Sequence, residues 1–332
     1  MTDPHSRPPE SDALNLERLA DDVLASQSPA SEAGLPTRRL GRTGERVSIL
    51  GLGGWDIGTI KDDLESIRFV QAAFDEGVTF FDNAWDYHDG RSEELMGRAL
   101  AMDGRRRRVF LMTKNCERDH AGSLRNLEDS LRRLRTDHLD LWQFHEINWP
   151  EDPDWVFDRG GMRAALEARQ AGKVRFIGFT GHKDPSLHRA MLEKPFDWDA
   201  CQMPINVMDA SYRSFRREVV PVCLASGVGV VGMKGLGGYG AAIVKEGGIP
   251  AASAYRYALS QPVATQVMGM SSLEELRMNV AIARSLVPMS AAEQAELVGR
   301  SAKTASEGRC ELFKSTSEFD GPHHRRQHGA AA

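Results

Sequence analysis

Residues 79–100 read TFFDNAWDYHDGRSEELMGRAL, and the fold of the chain turns on them. Thr79, Phe80 and Phe81 make a short apolar run that ends on Asp82, and Tyr87 follows on the next loop. After Gly90, the Ser92–Glu93 pair opens a helical pattern. A strand that ends in a carboxylate, with a phenol on the loop beyond it, reads as an acid/base device at the mouth of a parallel sheet. Two further strand-like segments end the same way, VFLMTK on Lys114 and LDLWQFH on His145. Each of the four has an ordinary reading alone: a helix cap, a packing tyrosine, a satisfied polar residue. Asp, Tyr, Lys and His at successive strand ends are hard to explain together as core residues.

Outward from this stretch, strand and helix patterns alternate. Upstream, Val47 to Gly54 reads as a strand, and Leu64, Ile67, Val70 and Phe74 mark one face of a helix over 62–76. Downstream, strand patterns at 109–115, 138–146, 174–182, 200–206, 228–238 and 264–272 each precede a helical pattern. One last amphipathic helix is expected over about 291–305. Eight strands with eight helices is the count of a closed (β/α)8 TIM barrel. An open doubly wound sheet would also alternate. The barrel is favoured because no GxGxxG follows the first strand, and because only closure brings reactive residues from many strand ends together. The strands are near-continuously apolar, as burial on both faces demands.

The 332 residues are enough for one barrel domain, expected over 36–305. The first 35 residues are rich in Pro, Ser, Asp and Glu and read as a disordered extension. Residues 306–332 read as a C-terminal segment ending in a solvated tail, despite its His323, His324, Arg325, Arg326 and His328. A net charge of −5 gives no electrostatic basis for a nucleic-acid partner. No apolar run is long enough for a membrane span. The four cysteines, Cys116, Cys201, Cys223 and Cys310, lack zinc or CxxC spacing and read as free thiols of a cytoplasmic protein; no metal site is expected.

A tyrosine with its ordinary pKa near 10 is a poor proton donor or base at neutral pH unless tuned. Lys114 is the expected tuning charge, kept protonated by Asp82, with His145 to orient a carbonyl oxygen. Gly-rich MKGLGGYG (233–240) offers backbone N–H groups to a pyrophosphate, and GMSS (269–272) a second anion-binding helix start. Hydride from a nicotinamide then fits best. A Schiff-base aldolase using Lys114 and a catalytically weak dinucleotide-binding regulatory subunit are the alternatives. Trp55, Trp85 and Trp149 are candidates for an apolar substrate pocket.

Over about residues 37–285 the chain resembles the aldo-keto reductases. The resemblance rests on LGRTGERVSILGLGGW, FFDNAWDY with SEELMGRAL, LMTK, DLWQFH, GKVRFIGFTGH, QMPIN and GMSSLEELRMN. It implies NAD(P)H-dependent reduction of a small-molecule carbonyl, with Asp82, Tyr87, Lys114 and His145 as the tetrad and Tyr87 as general acid. It also implies cofactor contacts from Trp55, Thr180, Gln202, the strap Lys234-Gly235-Leu236-Gly237, and Ser271, Ser272 and Asn279. The chain departs from the family at His182, where Asn is usual, and at Met233, where an aromatic ring is usual. Near the 2′-phosphate position it has Met270 and Glu275, with Arg277 nearby. The resemblance implies NADPH; these residues imply weak discrimination from NADH.

Overall fold

The computed structural model describes residues 10–30, 34–238 and 240–330. Ten strands are present among them: β1 (Thr37–Arg39), β2 (Arg46–Ser48), β3 (Leu50–Gly53), β4 (Phe80–Asp82), β5 (Phe110–Asn115), β6 (Leu139–Phe144), β7 (Val174–Thr180), β8 (Ala200–Pro204), β9 (Gly229–Met233) and β10 (Thr265–Met268). Strands β3 to β10 pair in parallel with their sequence neighbours, and β10 pairs back onto β3, closing the barrel. The strand expected over 47–54 is two strands. Ser48 turns its hydroxyl onto the Leu50 carbonyl, and the chain passes from the antiparallel β1–β2 hairpin into the barrel wall.

The hairpin plugs the barrel floor. Its Leu40 and Val47 join Phe80, Phe110, Met112, Leu141 and Val231 in an interior core of apolar side chains. The Phe80 and Phe110 rings stack with centroids 5.5 Å apart, and Phe110 stacks on Phe176 at 6.2 Å. A larger apolar layer fills the space between strands and helices, from Ile67 and Leu95 round to Val280. A packed floor and wall leave only the carboxyl ends of the strands for chemistry, as in barrels generally.

Both termini correct the sequence reading. Glu10–Ala25 is a helix with Leu16, Leu19, Ala20, Val23 and Leu24 partly buried at helical spacing, where a disordered extension over 1–35 was expected; residues 1–9 and 31–33 of that extension lie outside the described residues. Pro322–Gln327 is also helical, and it lies over the barrel mouth instead of in solvent. Its His324 is fully buried, and the His328 ring just beyond it stacks on Trp149 at 4.6 Å and on Trp155 at 4.7 Å. The partners that order the tail come from the 146–161 loop, too far along the chain for a local pattern to reveal.

The segment leading to this helix is pinned by a buried ion cluster. Lys314 Nζ donates to Asp209 Oδ1 (2.8 Å), Glu311 Oε2 (2.9 Å) and the Tyr212 carbonyl (2.8 Å). Lys314, Asp209 and Glu311 are all fully buried.

Candidate active site

Parallel pairing brings the carboxyl ends of neighbouring strands to one mouth, so Asp82 at the end of β4, Lys114 near the end of β5 and His145, one residue past β6, all reach it. Tyr87 enters from the loop after β4. His88, Asp89 and Gly90 all take left-handed backbone angles there, a strained run of the kind found where geometry is imposed for function. Gly90, at φ +89°, holds a left-handed backbone angle that favours glycine.

Lys114 is 1 % exposed and its ammonium is in direct contact with Asp82. It also donates to the Asn83 carbonyl at 2.7 Å and lies 3.4 Å from the Tyr87 hydroxyl. The other oxygen of Asp82 accepts from Gln202 Nε2. His145 stands edge-on to Tyr87, ring centroids 5.6 Å apart, with Nδ1 3.2 Å from Asp86 Oδ1. The four expected residues therefore converge.

Their electrostatics differ from the expectation. Burial pushes the Tyr87 phenol well above its ordinary pKa, and Asp82, Asp86 and Glu146 push it the same way. Lys114 was expected to lower it. In the fold its charge is covered by Asp82, so the phenol faces a compact ion pair and not a bare ammonium. Tyr87 is thus a neutral, fully protonated phenol over the physiological range. Burial also lowers the pKa of His145, more than Asp86 raises it, and leaves that imidazole neutral.

Above these groups opens a cavity of about 1340 Å³. Trp55, Trp85, Thr180, Gln202, Lys234, Gly235, Leu236 and Asn279 line it, as expected. The Trp55 ring meets the Tyr87 ring edge-on at 5.3 Å. Gln202 Oε1 and Asn279 Oδ1 are buried without a hydrogen-bond partner, and both residues face this space. Gly238 and Gly240, both with positive φ, line it too, and a Cβ on Gly240 would meet nothing within 4 Å. Two orphaned amide oxygens beside an open glycine strap fit a nicotinamide dinucleotide, whose carboxamide and adenosine amines are donors.

Four expected residues are placed differently. Trp149 is not part of the cavity wall, because its ring is taken by His328. Gly237 is turned away, with a Cβ position 2.7 Å from the Cys310 carbonyl. Ser271 and Ser272 are exposed and spent on the helix start. Ser272 Oγ accepts from the Glu275 amide, and Glu275 Oε2 accepts from the Ser271 amide at 2.8 Å. This capping arrangement sets Glu275 on the cavity wall, whereas Arg277 is exposed and not part of it.

Residues that sequence reasoning passed over complete the mouth. Asp86, Glu146 and His324 lie beside His145, and Cys116 Sγ is 3.5 Å from its Nδ1. Burial, reinforced by Asp86 and Asp320, raises the Glu146 carboxyl well above the usual range. Its oxygens accept from the Gly321 amide. The His182 ring, held neutral with a pKa lowered to about 3 by burial, sits 3.1 Å from Asp320 Oδ1. His182 thus binds the C-terminal segment, and its amide donates to Asn148. The second carboxylate of the FFDNAWDY run was the one signal available for Asp86. The rest depend on the fold of the tail.

Comparison with known proteins agrees with this geometry. Residues 49–245 match the model of the aldo/keto reductase family. Aldo-keto reductase YhdN of Bacillus subtilis is 32% identical over 191 residues, covering 53% of this chain and 54% of that protein. An uncharacterized oxidoreductase of the same organism, YrpG, is 33% identical over 223 residues, covering 60% and 66%. The aligned stretches thus span between half and two thirds of these relatives. The structure of aldo-keto reductase AKR11C1 from Bacillus halodurans, in its holo form, superposes with a TM-score of 0.69 at 26% identity, covering 83% of this chain and 99% of that one.

Proposed function

This chain belongs to the aldo/keto reductase family, and from that premise we propose that it reduces small aldehydes or ketones to alcohols, with Tyr87 as the proton donor. The observation that carries the reading is the convergence of Tyr87, the Lys114–Asp82 pair and His145 at one end of a cavity whose other wall offers Gln202, Asn279 and the glycine strap. A bound nicotinamide supplies the hydride. The protein's own residues hold the carbonyl and provide the proton.

As negative charge develops on the carbonyl oxygen, Tyr87 gives up its phenolic proton to it. A phenol with a raised pKa remains a competent donor, because an alkoxide is more basic still. Lys114, 3.4 Å from the phenol oxygen, steadies the charge that appears there. Neutral His145 can hydrogen-bond the carbonyl oxygen and aim it. Trp55 and Trp85 supply apolar wall on the approach. A Schiff-base route through Lys114 is disfavoured, because the ammonium is held by Asp82 and the Asn83 carbonyl and presents no lone pair.

Glu275 on the cavity wall, with Arg277 outside it, supports weak discrimination between NADH and NADPH, within about tenfold in affinity or 1.4 kcal/mol. The proposal is tested with a panel of carbonyl compounds assayed with both nucleotides, for the native chain and Tyr87→Phe. Nucleotide affinity should hold in the variant while kcat falls by about 10² or more. Turnover within a few-fold of the native protein would refute Tyr87 as the donor.

A further inference from the structure

Behind the catalytic wall, four potential metal ligands from four parts of the chain come together. Cys116 follows β5 and His145 follows β6, so strand pairing sets them side by side. Asp86 comes from the loop after β4, and His324 from the helix Pro322–Gln327. One ligand atom of each lies within 4.8 Å of all the others. Cys116 and His324 are fully buried, and His145 is 6 % exposed. Both ring nitrogens of His324 are buried without a hydrogen bond, and Asp86 Oδ1 has only the His145 Nδ1 beside it, at 3.2 Å. Buried polar atoms without a partner are rare in folded proteins, and here one His324 nitrogen lies among the other three ligand atoms.

We propose that Asp86, Cys116, His145 and His324 form a closed binding site for a divalent transition ion of the zinc class. The donor set decides the class. Thiolate and imidazole ligands select against magnesium and calcium, which take oxygen. Tetrahedral zinc, with bonds of about 2.0–2.3 Å, sets its ligand atoms about 3.3–3.7 Å apart. The Asp86–His145 and Cys116–His145 distances, 3.2 and 3.5 Å, are already close to that. A thiolate and a carboxylate balance the ion's two charges, and the two imidazoles bind neutral. On binding, Cys116 loses its proton to solvent. Four protein ligands leave no open position, so the ion acts as a clamp between the C-terminal helix and the barrel. It also claims the Nδ1 lone pair of His145 and leaves the ring proton on Nε2, the tautomer able to donate to a carbonyl oxygen. That last consequence rests on the reductase reading; the site itself does not.

Cobalt(II) titration of the full chain, freed of metal by chelator, tests the site without any activity assay. The expected result is one equivalent bound, with a thiolate-to-cobalt charge-transfer band and strong tetrahedral d–d bands that zinc abolishes. Cys116→Ser should lose the charge-transfer band. His324→Gln should bind at least tenfold more weakly while keeping the native far-ultraviolet dichroism. No uptake, weak octahedral bands, or spectra unchanged in His324→Gln would each overturn the proposal. The His324→Gln result stands even where Cys116→Ser fails to fold, since His324 is outside the apolar core.

Discussion

If Tyr87 faces an ion pair and not a lone ammonium, removing either partner should move its pKa, in opposite directions. Lys114 Nζ lies 3.4 Å from the phenol oxygen. At an effective dielectric near 20, one uncovered charge at that range favours the phenolate by about 5 kcal/mol, or more than three pKa units. Asp82, in contact with the ammonium, cancels much of this in the native protein. Asp82→Asn uncovers the lysine, which keeps the Asn83 carbonyl as an acceptor at 2.7 Å. With Tyr87 as the proposed proton donor, reduction requires the protonated phenol, so its rate falls as pH rises through the Tyr87 pKa. The alkaline limb of kcat/KM should therefore move down by about one to two units in Asp82→Asn. In Lys114→Met it should move up, because Asp82 is left bare beside the phenol. Ultraviolet titration of tyrosinate gives the same comparison independently of turnover. An Asp82→Asn limb that stays in place or moves upward would refute the ion-pair account.

Three further outcomes are expected. Lys314→Met leaves Asp209 and Glu311 buried without their cation and should cost about 3–5 kcal/mol in urea unfolding, with Glu311→Gln added to it recovering part of the loss. Burial holds His188 to a pKa of about 4, so the folded state binds fewer protons than the unfolded chain between about 6.5 and 4. Stability should therefore fall as pH drops through that window, by at most about 3 kcal/mol, and His188→Gln should flatten the decline seen in urea midpoints. Glu275→Arg removes a repulsive charge and adds a donor, so NADPH should bind about tenfold or more tightly while NADH changes little; Glu275→Gln, which can keep the Ser271 cap, separates the two effects in binding titrations.

The barrel was legible because its evidence is local and repeated. Each strand is a short apolar run, each helix carries its own 3.6-residue stripe, and Asp82, Lys114 and His145 stand at or just past strand ends that parallel pairing brings to one mouth. Their positions follow from that rule, and Tyr87 follows on the loop after β4. Their electrostatics do not, because the pKa of Tyr87 depends on which charge touches Lys114, and no spacing rule fixes a contact between β4 and β5 side chains. Glu275 is an intermediate case. The Ser272-to-Glu275 interval reads as a helix cap from sequence, but only the cavity wall shows what else the carboxylate faces.

The C-terminal tail failed to read as structure for a different reason. Its composition, two adjacent histidines and two arginines, gives a local preference for solvent, and its own neighbours offer little beyond the His323–Gln327 contact at 3.2 Å. Order comes from distant groups. Trp149 and Trp155 take the His328 ring, Glu146 takes the Gly321 amide, and the Cys116 carbonyl and Glu117 take the Gln327 amide. Upstream, Asp320 binds Asn148, His182 and Lys183, and the buried Lys314 cluster anchors the segment to the loop after β8. A chain that sends its polar terminus across the mouth in this way brings titratable groups against His145 that the barrel alone would lack. The tail is therefore part of the site's electrostatics. The environment of His145, and with it the side of the cavity that His145 lines, is set jointly by the β6 strand end and by residues such as His324 in the C-terminal helix.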